Sequence, residues 1–81
     1  MKLKIAGERK NIVGEHIRRA RVIQHLSQQD VSERLLEMNV YICRGAMSRI
    51  EKGNRIVTDI ELQGFSKAMN VPVSSFFEPL A

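Results

Sequence analysis

From Asn11 onward the apolar residues recur every three or four positions, the repeat of helices that bury one face. Val13, Ile17, Ala20 and Gln24 share one side of a first predicted helix at about 12–24, with Ile23 beside them and Asn11 placed to cap it. Ser27 opens a second helix, at about 28–38. Its hydroxyl can accept from a first-turn amide, and Asp30 sits near the positive end of the helix. Val31, Leu35 and Met38 then face inward with Leu36 alongside, and Asn39 suits a left-handed stop. A third helix covers about 44–52, with Met47 and Ile50 inward and Gly53 to end it. A fourth starts at Thr58 or Asp59, carries Leu62, Phe65 and Met69 on its apolar face and stops at Asn70. A short fifth opens at Pro72 or Ser74, bears Phe76 and Phe77 and ends at Pro79.

Three places depart from this pattern. In residues 1–10, Met1, Leu3 and Ile5 alternate with Lys2 and Lys4, as in a short strand, a loose basic arm or a frayed terminus, the last being favoured. Val40, Tyr41, Ile42 and Cys43 have strand character but no partner to pair with, and are assigned as a buried connector. Gly64 lies inside the fourth helix, where glycine costs about 1 kcal/mol relative to alanine, and marks close packing. Connections are short and no credible strand pair exists, so the expected fold is all-α, a compact five-helix bundle.

Eighty-one residues hold one core, with an arm at 1–10 and a domain at 11–81. A chain of this size buries only about 60–65% of its unfolded surface, so a second copy or a ligand would add needed stability. The net charge of +4 suits a polyanionic partner but is weak support on its own. Cys43 is the only cysteine, which excludes an internal disulfide and a zinc site of cysteine pairs; it is assigned as a small buried hydrophobe. His16 and His25 lack ligand spacing, so no metal or cofactor is expected. Ser27, Ser48, His25 and Asp30 form no recognisable triad, and no enzyme is expected. The charged start is unlike a signal peptide, and no apolar run approaches the ~20 residues of a membrane span, so the expectation is a cytoplasmic protein without a membrane partner.

Two stretches are specific in combination. The first is Arg21 followed by Leu26-Ser27-Gln28-Gln29-Asp30-Val31-Ser32, and the second is Met47-Ser48-Arg49-Ile50-Glu51-Lys52-Gly53-Asn54-Arg55. Together with the closing amphipathic helix they resemble the phage repressor and Cro-type helix-turn-helix family, the xenobiotic-response-element-type transcriptional regulators, over about 12–77. The resemblance implies a lambda-repressor-like bundle in which the second and third helices form the DNA-reading unit. It implies that Gln28 bonds a phosphate, and that Arg44, Gly45, Ser48 and Arg49 face the groove. Lys52, Asn54 and Arg55 would contact the DNA backbone, and Arg21 and Glu51 would form a buried ion pair between the first and third helices.

The chain departs from the family pattern at four points. The stretch 36–43 is about five residues longer than the usual tight turn of three or four, as in a subgroup with an extended connector before the recognition helix. Cys43 stands where a Ser or Thr cap is common, Gly45 where many members carry a base-touching side chain, and His25 where glycine is usual. The implied function is a sequence-specific, double-stranded DNA-binding transcriptional regulator, a repressor acting as a homodimer. The alternative is an antitoxin or adaptor whose main partner is another protein. Phe76 and Phe77 cannot both point inward from one short helix, so one of them, with Pro79 and Leu80, is a candidate dimer surface.

Overall fold

The computed structural model describes residues 9–79. The arm assigned to 1–10 therefore lies outside the described residues, except for Arg9 and Lys10. These two are tied to the bundle: the Lys10 amide donates to the Gly53 carbonyl at 2.7 Å, and Arg9 Nε donates to the Asn11 carbonyl at 3.3 Å.

Among the described residues four α-helices follow in order: α1 Gly14–Ile23, α2 Gln28–Glu37, α3 Arg44–Glu51 and α4 Asp59–Met69. Two of them start with reciprocal capping boxes. Ser27 Oγ accepts from the Asp30 amide at 2.9 Å while Asp30 Oδ2 accepts from the Ser27 amide at 2.8 Å. Thr58 and Glu61 do the same for α4, at 3.2 and 3.0 Å. Each box occupies two donors that the start of a helix would leave open.

All four helices end alike. A residue of positive φ follows each one: His25 at 60°, Asn39 at 62°, Gly53 at 82° and Asn70 at 53°. The next amide then reaches back five residues, Leu26 to Arg21, Val40 to Leu35, Asn54 to Arg49 and Val71 to Ser66, at 2.8–3.0 Å. These are left-handed caps that satisfy terminal carbonyls and turn the chain sharply. Asn39, Asn70 and Gly53 were legible as such stops; His25 occupies the same geometry at greater cost.

The helices close on Ile17, Val31, Leu35, Met47, Ile50, Phe65 and Met69, all essentially inaccessible to solvent. α2 packs on both α3 and α4, while α1 crosses α3 and α4. Two glycines allow close approach. A Cβ on Gly14 would lie 2.1 Å from the Ile50 carbonyl oxygen, so α1 rests directly on the backbone of α3. On Gly64 it would lie 3.0 Å from Leu35 Cδ2, so the glycine in α4 accommodates α2.

Three expectations need correction. The expected fifth helix is a short 3₁₀ helix, Val73–Phe77, so the described residues hold four α-helices and one 3₁₀ helix. Six residues between Pro72 and Pro79 leave room for little more, and the Ser75 amide bonds the Pro72 carbonyl three residues back. There Phe76 is 1% exposed and Phe77 is 53% exposed. The connector 40–43 is not buried throughout, because extended chain sends alternate side chains to opposite sides. Ile42 is 1% exposed, whereas Tyr41 is 77% exposed and Cys43 is exposed. Cys43 is thus not a core residue. Gln24, placed on the apolar face, is exposed, and its Nε2 donates to the Met69 carbonyl at 2.8 Å, holding α1 to the end of α4.

The strained cap makes a prediction. His25→Gly removes the side chain that disfavours positive φ, a relief of roughly 1 kcal/mol. In a domain of this size that raises Tm by about 4–8 °C, measurable as a shift in the thermal melt followed by circular dichroism.

Candidate nucleic-acid interface

Helix α3 is held from one side only. Ala46, Met47, Ile50 and Glu51 are buried, while Arg44, Gly45 and Arg49 lie exposed on the opposite face, Ser48 is half-buried beside them, and Lys52 and Asn54 are exposed just beyond the last turn. Open space surrounds Gly45, whose added Cβ would meet only Arg49 Nη1, 3.9 Å away. The result is a short, rigid helix with an uncovered basic face.

What holds α3 is polar at its C-terminal end. Arg21 Nε lies 2.8 Å from Glu51 Oε2 and Arg21 Nη2 lies 2.9 Å from Glu51 Oε1, a two-pronged pair of which 13% of the Arg21 and 4% of the Glu51 side chain is exposed. Arg21 Nη1 also donates to the Leu26 carbonyl at 3.0 Å. The hydrogen bonds to Glu51 raise the Arg21 pKa above its ordinary value and keep the guanidinium charged. Gln28 Nε2 joins them, donating to Glu51 Oε1 at 3.1 Å. One carboxylate thereby fastens α1, α2 and α3 together.

The Glu51 bond alters the expectation for Gln28. The resemblance gave this side chain to a phosphate, yet it is half-buried and one of its N–H groups is turned to Glu51. Its second N–H and its carbonyl oxygen remain for other partners. Arg55 differs more. Its Nη1 and Nη2 each lie 3.0 Å from an oxygen of Glu61, and Nη1 also donates to the Ile56 carbonyl. Arg55 is therefore engaged in the fold, unlike the exposed Arg44, Arg49 and Lys52.

Sequence reasoning missed two residues. Glu61 accepts from Arg55 while also serving the Thr58 capping box, and the pattern Thr58-Asp59-Ile60-Glu61 carried a readable signal for the second role. Asn11 was read only as a helix cap. It does accept from the Gly14 amide at 2.8 Å, but its Nδ2 also donates to the carbonyls of Ile50 at 3.0 Å and Arg55 at 2.7 Å. It clamps the segment after α3, and no local pattern announces that role. Cys43 precedes α3 without making a capping bond through sulfur. The amide of Ala46 and, behind it, that of Gly45 and the charge of Arg49 hold its thiol below the ordinary value.

Two stability predictions follow from these pairs. Glu51→Ala leaves Arg21 with its charge largely buried and unpaired, a change of about 3–5 kcal/mol, and lowers Tm by at least several degrees in a thermal melt. The second concerns acid. Hydrogen bonds from Arg55, and then from the Thr58 amide, hold Glu61 below its ordinary 4.5, and the Ser27 amide and hydroxyl lower Asp30 below 3.8. A depressed carboxylate stabilises the fold above its unfolded pKa, and that contribution disappears as pH falls through the folded value. Tm is therefore level down to about pH 5 and declines below about 4.5, and Glu61→Gln makes the decline shallower. An equally steep decline in the variant would assign it to other groups.

No family model and no curated protein matches this chain. Among solved structures, the restriction-modification controller protein C.AhdI from Aeromonas hydrophila superimposes with a TM-score of 0.70 at 20% sequence identity, over 80% of this chain and 91% of that one. The all-helical fold of this protein is thus the fold of that controller protein.

Proposed function

We propose that the protein is a cytoplasmic, sequence-specific regulator of transcription that binds double-stranded DNA and reads the major groove with α3. The observation that carries this reading is the uncovered basic face of α3, with Arg44, Gly45 and Arg49 exposed on a helix anchored by Met47, Ile50 and Glu51. A groove about 12 Å wide admits one helix, and an arginine there bonds guanine in bidentate fashion. Ser48, on the same face, completes the base-reading row. Lys52 and Asn54 contact phosphates, as does Gln28 through its remaining polar atoms at the α2 N-terminus. Arg55 contributes through its place beside Glu61, setting the loop that carries Lys52 and Asn54.

The fold shared with a restriction-modification controller protein supports a regulatory role. In this reading the sign of regulation is repression, exerted by occupancy of the DNA site. Two copies bind a pseudo-palindrome with half-site centres about 34 Å apart. The partner copy covers the apolar groove walled by Ile12, Ile56 and Phe77 and floored by Val13, Val57 and Leu62. These three wall residues are each more than half exposed.

Selection from a random duplex pool, read by sequencing, tests the proposal: a two-fold symmetric motif is expected. Enrichment of no sequence would refute it and favour a role as an antitoxin or adaptor. With the selected duplex in hand, Arg49→Ala weakens binding to it about five- to hundredfold and leaves random DNA nearly unaffected. Lys52→Ala weakens both alike and lowers the slope of log K against log salt by about 0.9. Equal losses on both duplexes for the Arg49 variant would remove base reading from that residue.

A further inference from the structure

We propose that Tyr41 is a further DNA contact, its phenol hydroxyl donating to a phosphate at the wall of the groove that α3 enters. The assignment rests on the DNA-binding reading above. Tyr41 is 77% exposed, more than any other large apolar side chain among the described residues. Its neighbours on both sides are fixed. The Val40 amide donates to the Leu35 carbonyl at 2.9 Å, and the Val40 methyls pack over Gly64 at 3.4 and 3.6 Å from where a Cβ would stand. Ile42 is buried, and its carbonyl accepts from the Ser32 hydroxyl. The left-handed turn at Asn39 sets the entry of the segment. The aromatic ring is therefore presented from a pinned backbone, and its hydroxyl has no hydrogen-bond partner among the described residues.

The side from which it projects is also defined. Opposite the buried Ile42, Tyr41 and Cys43 emerge on one side of the extended connector, and that side runs on into the exposed Arg44 and Gly45. Tyr41 stands three positions before Arg44, a chain distance of at most ~11 Å, which is comparable with the ~12 Å width of the major groove. With the first turn of α3 among the base edges, the tyrosine arrives at the flanking sugar-phosphate chain. Its surroundings favour an anion, since the first turn of α3 holds no acidic residue and Arg44 and Arg49 lie on the same face. A phenol also suits a groove rim, where its ring covers sugar and its hydroxyl meets phosphate. The lengthened connector would thus add a contact that a three-residue turn cannot reach.

Because the donor is uncharged, its loss has a distinctive signature. Tyr41→Phe weakens the selected and the random duplex alike by about tenfold, the worth of a hydrogen bond to a charged acceptor, and leaves the salt slope unchanged because no counterion is released. Phosphate ethylation interference loses one position per half-site in this variant. Fluorescence anisotropy on both duplexes across a salt series, with a thermal melt to verify the fold, decides the matter. Wild-type affinity for Tyr41→Phe would overturn the hydroxyl contact, including the case in which Tyr41→Ala alone is impaired, which would leave only the ring. A Tyr41→Ala variant that binds DNA normally but changes its oligomeric state in sizing chromatography would assign the residue to a protein surface instead. A wild-type chain that selects no duplex would sink the parent reading, and this contact with it.

Discussion

The carboxylate of Glu51 is the point on which the arrangement depends. It sits at the last turn of α3, almost wholly inaccessible, and receives Arg21 from α1 and Gln28 from the first turn of α2. Withdrawing a carboxylate and a guanidinium from water costs several kcal/mol per ion, and their attraction offsets this only when geometry and the remaining hydrogen bonds are good. Here both prongs are below 3 Å and the third Arg21 nitrogen is satisfied by the Leu26 carbonyl. The net stabilisation from such a pair is small; its effect is selective. Any other rotation of α3 would strand one of the charges, so the pair fixes which face of the helix is left uncovered.

That selection separates the cations into two groups, which the net charge of +4 cannot do. Arg21 and Arg55 are committed to Glu51 and Glu61, and Arg34 donates to the Ala68 carbonyl at the end of α4. Arg44, Arg49 and Lys52 stay exposed and together on one side. On that side these charges give an outward field suited to a polyanion, a location that the overall excess does not specify.

Much of the fold was legible in the sequence because its determinants are local. Ser27 with Asp30, and Asn39, Gly53 and Asn70, signal through their own conformational preferences where helices start and stop. Met47 and Ile50 followed from helical periodicity, and so did the outward Arg44 and Arg49. The two roles of Asn11 toward Ile50 and Arg55 span 39 and 44 residues, and only the packed bundle creates them. Arg55 illustrates the limit of carrying a site over by motif. Its position matches a backbone contact, but a glutamate six residues on, already used in a capping box, takes the guanidinium. The exposure of Tyr41 was hidden for a different reason: composition marked the connector as apolar, whereas extended geometry divided it between inside and outside.

The lengthened connector raises the question of whether α3 keeps the register that the motif implies. Its anchors answer this in physical terms. Val40 is held to α2 and α4, Ile42 is buried with its carbonyl bonded to Ser32, and the Met47 amide closes the first helical turn on the Cys43 carbonyl at 2.9 Å. The extra residues are thus absorbed before Ile42, in the left-handed turn at Asn39 and the step across Gly64. From Ile42 onward the chain has no freedom to slip, since moving by one residue would displace Ile42 and Met47 from their sites and put Tyr41 and Ala46, or Cys43 and Ser48, in their place. Because Glu51 is fixed at the other end by Arg21, the helix is constrained from both termini, and its eight residues present one defined face.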